Sequence, residues 1–148
     1  MKTETMELPN FRSDRQIFKS QIAEMFKELR KKKVIARMNF WCCQSCGCAN
    51  VDRMFDEKPE MWGYVFYHQQ DEQGIGESKP SVHVAYGLTA ELSKDASDDE
   101  RKEMDRKERE LNRLMLITAQ KCGLLVDWNG DTGRRMELVY RGNEDEQN

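Results

Sequence analysis

The stretch WGYVFYHQ, residues 62–69, constrains the chain more than any other. Its aromatic and β-branched residues favour an extended strand. Successive side chains of a strand point to opposite faces. Tyr64 and Phe66 therefore fall on one face, and Val65 and Tyr67 on the other. A strand apolar on both faces belongs inside a sheet that is covered on both sides. The segment DEQGIGESKP follows as a loop, and SVHVAYG (81–87) reads as a second strand. The two are expected to form a long-looped hairpin. If His68 faces Val82, then Phe66 pairs with Val84 and Tyr64 with Tyr86. A slip of one residue would set His68 opposite His83 on one face. The apolar pattern favours the first register.

Two helices frame this hairpin. In residues 13–33, Ile17, Phe18, Ile22, Met25, Phe26 and Leu29 recur at helical spacing. Ser13 and Gln16 have capping-box spacing. The basic run Arg30 to Lys33 suits the negative end of the helix dipole better than a phosphate site. Residues 97–122 repeat the design with Ser97 and Glu100. Their first half is nearly all charged and projects into solvent, supported by i,i+4 pairs such as Glu103–Lys107. Their second half carries the stripe Leu111, Leu114, Met115, Thr118 and Cys122, and Gly123 stands where a helix commonly ends.

The remainder reads as another hairpin. LLVDW (124–128) and RMELVYR (135–141) flank the turn signal NGDTG. Leu124, Val126 and Trp128 can share a face with Met136, Leu138 and Tyr140. Asp127, Asp131 and the pair Arg134–Arg135 flank this hairpin, and the arginines read as solvated edge-strand charges rather than a phosphate site. The expected class is α+β: an antiparallel sheet of about four strands with two main helices packed against it, in the order helix-strand-strand-helix-strand-strand. Residues 34–61 read as irregular.

The chain has 148 residues, which suits a single domain over 1–148, with an ordered core at 10–141. The acidic tail 142–148 is expected to be disordered. A net charge of −3 argues against nucleic acid as a partner and leaves a protein partner open. No apolar run approaches the ~18–20 residues that cross a bilayer, and the N-terminus has no hydrophobic leader. The expected compartment is the cytoplasm, where an odd cysteine count means free thiols or metal ligands rather than a disulfide framework.

Four of the five cysteines, Cys42, Cys43, Cys46 and Cys48, fall within NFWCCQSCGCAN (39–50). Cys43-Gln-Ser-Cys46-Gly47 has the form of a zinc knuckle, in which two thiolates grip one ion and the glycine lets amides approach the sulfurs. Structural zinc takes four ligands, and no second such pair exists in the chain. His68 is the expected third ligand, with Cys42 or Cys48 as further candidates. Cys42, adjacent to Cys43, points awkwardly for the same ion. A C-x-x-C pair at a helix start also does redox chemistry, but no βαβ pattern is visible around it. Vicinal thiols Cys42, Cys43 and Cys46 could instead capture arsenic-like or soft ions. Packing is the third reading, since free cysteine behaves as a small hydrophobe and Trp41 stands beside the cluster. His68 with Asp71 invites a general-base role, and a nucleophile pair with Cys43 or Cys46 is conceivable. The blander reading is a satisfied histidine, with Asp71 bonding local backbone.

WCCQSCG, then GYVFYHQQD, then YG, then GLLVDWNGD followed by RRMELV, resembles a family of small bacterial proteins catalogued as a domain of unknown function. The resemblance covers roughly residues 10–141 and is sharpest at Cys42, Cys43, Cys46 and the His68–Gln70–Asp71 group. It implies a bacterial, cytoplasmic origin and carries no activity. Cys48 and Cys122 lie outside its pattern. The function expected is a non-enzymatic binding or interaction module, with zinc as the candidate metal at the cysteines. The alternative is a thiol-dependent enzyme or redox sensor using Cys43, Cys46 and His68 with Asp71.

Overall fold

Serines start both long helices, as their spacing predicts. The computed structural model describes residues 12–89, 92–131 and 134–142. The first helix, α1, runs Asp14–Lys31 and the last, α4, runs Asp98–Lys121. Ser13 accepts the Gln16 amide N–H while the Gln16 side chain accepts the Ser13 N–H, and Ser97 and Glu100 repeat the exchange. Phe18, Ile22, Met25, Phe26 and Leu29 of α1 are buried, as are Leu111, Met115 and Thr118 of α4. The charged half of α4 is exposed. There Glu103 bonds Arg106 at 2.6 Å, one residue short of the expected Lys107.

Between these helices lie β1 (Val34–Arg37), α2 (Gln44–Glu57), β2 (Gly63–Phe66), the single turn α3 (Gln69–Gln73) and β3 (Ser81–Leu88). After α4 come β4 (Leu124–Asp127) and β5 (Met136–Tyr140). One five-stranded sheet results, ordered β1-β2-β3-β5-β4. The fold is α+β. The sheet is mixed, not antiparallel with about four strands, because β1 runs parallel to β2. Residues 34–61 are likewise not irregular. VIAR is too short to show alternation, and its first three residues are all buried. The helix α2 is hidden by low apolar content: only Gly47 and Val51 are buried along it. Parallel neighbours need a crossover, and α2 supplies it. Residues 34–66 are thus a βαβ unit, contrary to the sequence reading.

The second hairpin sets Leu124 opposite Tyr140 and Val126 opposite Leu138, consistent with the shared face expected of them. The first is shifted by one residue from the favoured register: Phe66 faces Ala85 and Tyr64 faces Gly87. Glycine there accommodates the phenol ring, since a Cβ on Gly87 would lie 2.9 Å from Tyr64 Oη. A Tyr64–Tyr86 pairing would offer no such room. The ladder ends at Phe66, so the shift does not bring His68 against His83.

The strand β2 is an inner strand with cover on both faces, as its composition demands. Val65 and Tyr67 join the larger core, which fills the space between the sheet and the helices α1 and α4. Phe66 belongs to a second core with Ile35, Val51 and Ala85, and Tyr64, Phe40 and Met54 pack around it. This second core holds α2 to the opposite face of the sheet. Among the described residues, no helix is long and apolar enough to cross a membrane. The tail expected to be disordered falls, from residue 143 onward, outside the described residues.

Candidate metal centre

The cysteine cluster sits where β1 hands over to α2. Two residues in this connection take left-handed backbone conformations, Asn39 (φ 50°) and Trp41 (φ 62°). For an aromatic residue that conformation costs about 1–2 kcal/mol. It is held by hydrogen bonds on both sides: Phe40 N–H to the Tyr67 carbonyl at 2.8 Å, and Gln69 N–H to the Trp41 carbonyl at 2.9 Å. The chain then enters α2 with Cys43 as its extended N-cap (φ −155°, ψ 174°). Cys46 lies in the first turn of α2, and Cys42, outside the helix and just before its extended cap, is brought back over that turn.

The outcome is a three-thiol group. Ligand atoms of Cys42, Cys43 and Cys46 all lie within 4.8 Å of one another. The Cys42 Sγ is 3.7 Å from the Cys43 Sγ and 3.6 Å from the Cys46 Sγ. A tetrahedral ion with Zn–S distances of about 2.3 Å holds its sulfurs about 3.8 Å apart. Cys42 therefore does not point awkwardly; it is the sulfur that joins the other two. Cys48, two residues past Cys46, turns to the opposite side of the helix and packs against the second core. Burial, then Asp52, raises its pKa. Cys122 closes α4 elsewhere in the fold, its pKa raised by burial first and then by Glu24 and Glu28.

The three thiols are not electrically equivalent. Cys43 is lowered to about 6, first by the Ser45 hydroxyl at 3.4 Å, then by the Cys46 amide and the neighbouring thiols. No capping hydrogen bond to the Cys43 side chain is closed, so the amide acts through its field at the helix start. Cys46 is raised to about 11 because Cys42 and then Cys43 disfavour a further negative charge. The trio thus carries one thiolate first, on Cys43. Alkylation of Cys43 should accordingly follow a titration centred near pH 6. A less basic thiolate is also a weaker nucleophile, so its advantage over an ordinary thiol at pH 6 is roughly tenfold rather than a hundredfold. Rates by residue-resolved mass spectrometry check this. A midpoint above pH 8 would remove the charge asymmetry.

His68 is otherwise engaged. It is buried and caps α3: its Nδ1 accepts the Asp71 N–H at 3.3 Å, and its own N–H bonds Asp71 Oδ2 at 3.1 Å. That places its proton on Nε2, which lies 3.1 Å from the same carboxylate oxygen. His68 is not among the ligand atoms grouped around the three sulfurs. His83, on β3, is exposed.

Asp71 also receives Arg135 Nη2 at 2.6 Å, and that nitrogen donates to the His83 carbonyl at 2.7 Å. Arg135 is therefore not a solvated edge charge, and β5 is not an edge strand. No local signal reveals a contact across 64 residues. Arg134 fits the solvated reading, 3.6 Å from Asp131 at the surface. Asp71→Ala takes the α3 cap's acceptor and leaves the guanidinium only the His83 carbonyl. It should cost about 2 kcal/mol, the scale of one charge-assisted bond lost from a half-buried site, read from the urea midpoint. A loss under about 0.5 kcal/mol, the usual limit for surface changes, would show that the network contributes nothing.

Ser45 was not singled out by the sequence, although its signal is a hydroxyl two residues into a helix that a thiol caps. Gly47 has a different role from the one its motif suggests. It is not in a left-handed conformation; a Cβ there would lie 2.5 Å from Phe66 Cε1. Its lack of a side chain seats α2 on the second core.

Comparison with curated proteins and with solved structures finds no match. Residues 19–141 match a domain of unknown function (DUF6891), as the resemblance leads one to expect, and the chain belongs to that family.

Proposed function

We propose that this chain is a non-enzymatic metal-binding module of the bacterial cytoplasm, holding a zinc-class ion on Cys42, Cys43 and Cys46. The observation that carries the reading is the mutual distance of the three sulfurs, 3.6 and 3.7 Å on the two edges through Cys42. Thiolates select zinc and softer ions over hard cations. Three protein ligands leave one coordination position, and an exposed Cys42 leaves it facing water. His68 can enter that position only by giving up its cap on α3. Metal binding would also tie the end of the left-handed connection, at Cys42, to the first turn of α2, at Cys46.

A second reading has its own support. The pair Cys43–Cys46 stands at the start of the helix that follows a strand in a βαβ unit, with the first thiol acidic and the second not. In a thiol-dependent enzyme or redox sensor, Cys43 would be the attacking thiolate and Cys46 or Cys42 the resolving partner. Metal content of protein purified without chelator, with a native thiol count, separates the two. Zinc at one per chain with the trio protected is the expected result. Absence of metal with one fast-reacting thiol, Cys43, favours the redox reading. Absence of metal with uniformly unreactive thiols overturns both.

A further inference from the structure

We propose that the trio is matched to a three-coordinate thiophilic centre of the trivalent arsenic class, taken up as its hydroxide; this rests on the reading of Cys42, Cys43 and Cys46 as one ligand site. The number of donors carries the inference. Three sulfurs converge, and no fourth His, Cys, Asp or Glu ligand atom among the described residues joins them. The residues the sequence offers as further ligands or partners are committed elsewhere. His68 and Asp71 bond each other's backbone, and Asp71 holds Arg135. Cys48 is packed on the second core. Zinc in such a site must recruit a fourth ligand from outside. Trivalent arsenic makes three bonds in a pyramid and fills the fourth direction with a lone pair, so it needs nothing more. Soft thiolate is the donor it prefers.

The position of the trio fits the same ligand. Cys42 is exposed, and Cys43 and Cys46 are partly so, which lets a neutral hydroxide reach all three. The helix start and the connection braced by Phe40 and Gln69 hold the sulfurs together beforehand. Closing the second and third bonds is then an intramolecular event with a high effective concentration.

The exchange balances without any oxidant or reductant. Three As–O bonds and three S–H bonds break, and three As–S bonds and three O–H bonds form. Arsenic trihydroxide and three thiols give the tris-thiolate and three waters. Where one sulfur begins as a thiolate, one hydroxide leaves in place of one water. Arsenic stays trivalent throughout.

Sodium arsenite added to the reduced full chain, read by native intact mass, tests this. The expected adduct is one arsenic with three hydrogens lost, and alkylation mapping then finds Cys42, Cys43 and Cys46 protected while Cys48 and Cys122 still react. Cys42→Ser, Cys43→Ser and Cys46→Ser should each weaken arsenite binding on the order of 100-fold, through loss of one ring closure. Mapping on the unmodified chain decides the matter even if a variant misfolds. An adduct that keeps an As–OH group, or one on other cysteines, overturns the proposal. A parallel titration with zinc separates the two levels. Zinc protecting the trio with no three-bond arsenic adduct overturns this inference and leaves the metal reading standing. Neither ligand protecting the trio overturns both.

Discussion

Gly47→Val should lower the unfolding free energy by roughly 1–3 kcal/mol, the range for a side chain forced into a filled core. The cause is local and specific. Where glycine now lies, the first valine carbon would sit 2.5 Å from Phe66 Cε1 and 2.7 Å from Cζ. The Phe66 ring has little room to retreat. It is fully buried, with Phe40 at 5.5 Å between ring centroids and Tyr64 at 6.0 Å. A valine also gains little in helix propensity over glycine compared with alanine, so the clash decides the sign. The helix α2 must lift, and Cys46, the preceding residue, lifts with it. Urea unfolding reads the first effect and the thiol trio's metal affinity the second. Gly76→Ala is the control: the nearest atom to its Cβ is 3.7 Å away, and its backbone is not left-handed. That variant should be neutral within about 0.5 kcal/mol. Equal stability of the two variants would mean that α2 is not seated through Gly47.

Cys46→Ala should reduce zinc affinity by at least about 100-fold, since changes merely adjacent to a metal already cost 10–100-fold. Cys46 is only partly buried, so the loss should not come with unfolding. Cys48→Ala, two residues on, should leave affinity unchanged within about twofold, a difference below about 0.5 kcal/mol. Cys48 has a small packing role on the second core, and its removal should appear in stability instead. Competition titration against a chromophoric chelator measures both. Equal losses in the two variants would dissolve the distinction between a ligand and a packed thiol.

What the sequence discloses here follows from periodicity. Both long helices are legible because a capping serine precedes a repeating apolar stripe, and the structure closes both capping boxes. The double-faced WGYVFYHQ stretch correctly demands an inner strand covered on both sides. The stretch between the first helix and that strand is opaque for physical reasons. A four-residue strand gives too few positions for alternation to register. The helix α2 buries two residues, one of them a glycine, so it has almost no stripe to find. Missing both elements hides the parallel pairing and the βαβ unit, and with them the context that makes a C-x-x-C pair more than a knuckle. The convergence of Cys42 on Cys46 has no spacing signal, because Cys42 stands outside α2 and is placed by the left-handed connection and the extended cap beside it. The histidine presents the opposite case. His68 next to Asp71 reads either as a general base or as a residue satisfied locally, and the structure has it capping α3 with that aspartate. The register of the first hairpin turns on Gly87, whose importance lies in what it lacks.

The joint binding of one ion by Cys42, Cys43 and Cys46 is tested most directly by cobalt(II) titration of the reduced, metal-free chain. Thiolate ligation gives cobalt an intense charge-transfer absorption in the near ultraviolet. This band should saturate at one ion per chain, survive intact in the Cys48→Ser/Cys122→Ser double variant, and fail to develop in Cys42→Ser. No band in the unmodified chain, or a band that depends on Cys48 or Cys122 and not on Cys42, would contradict a shared site.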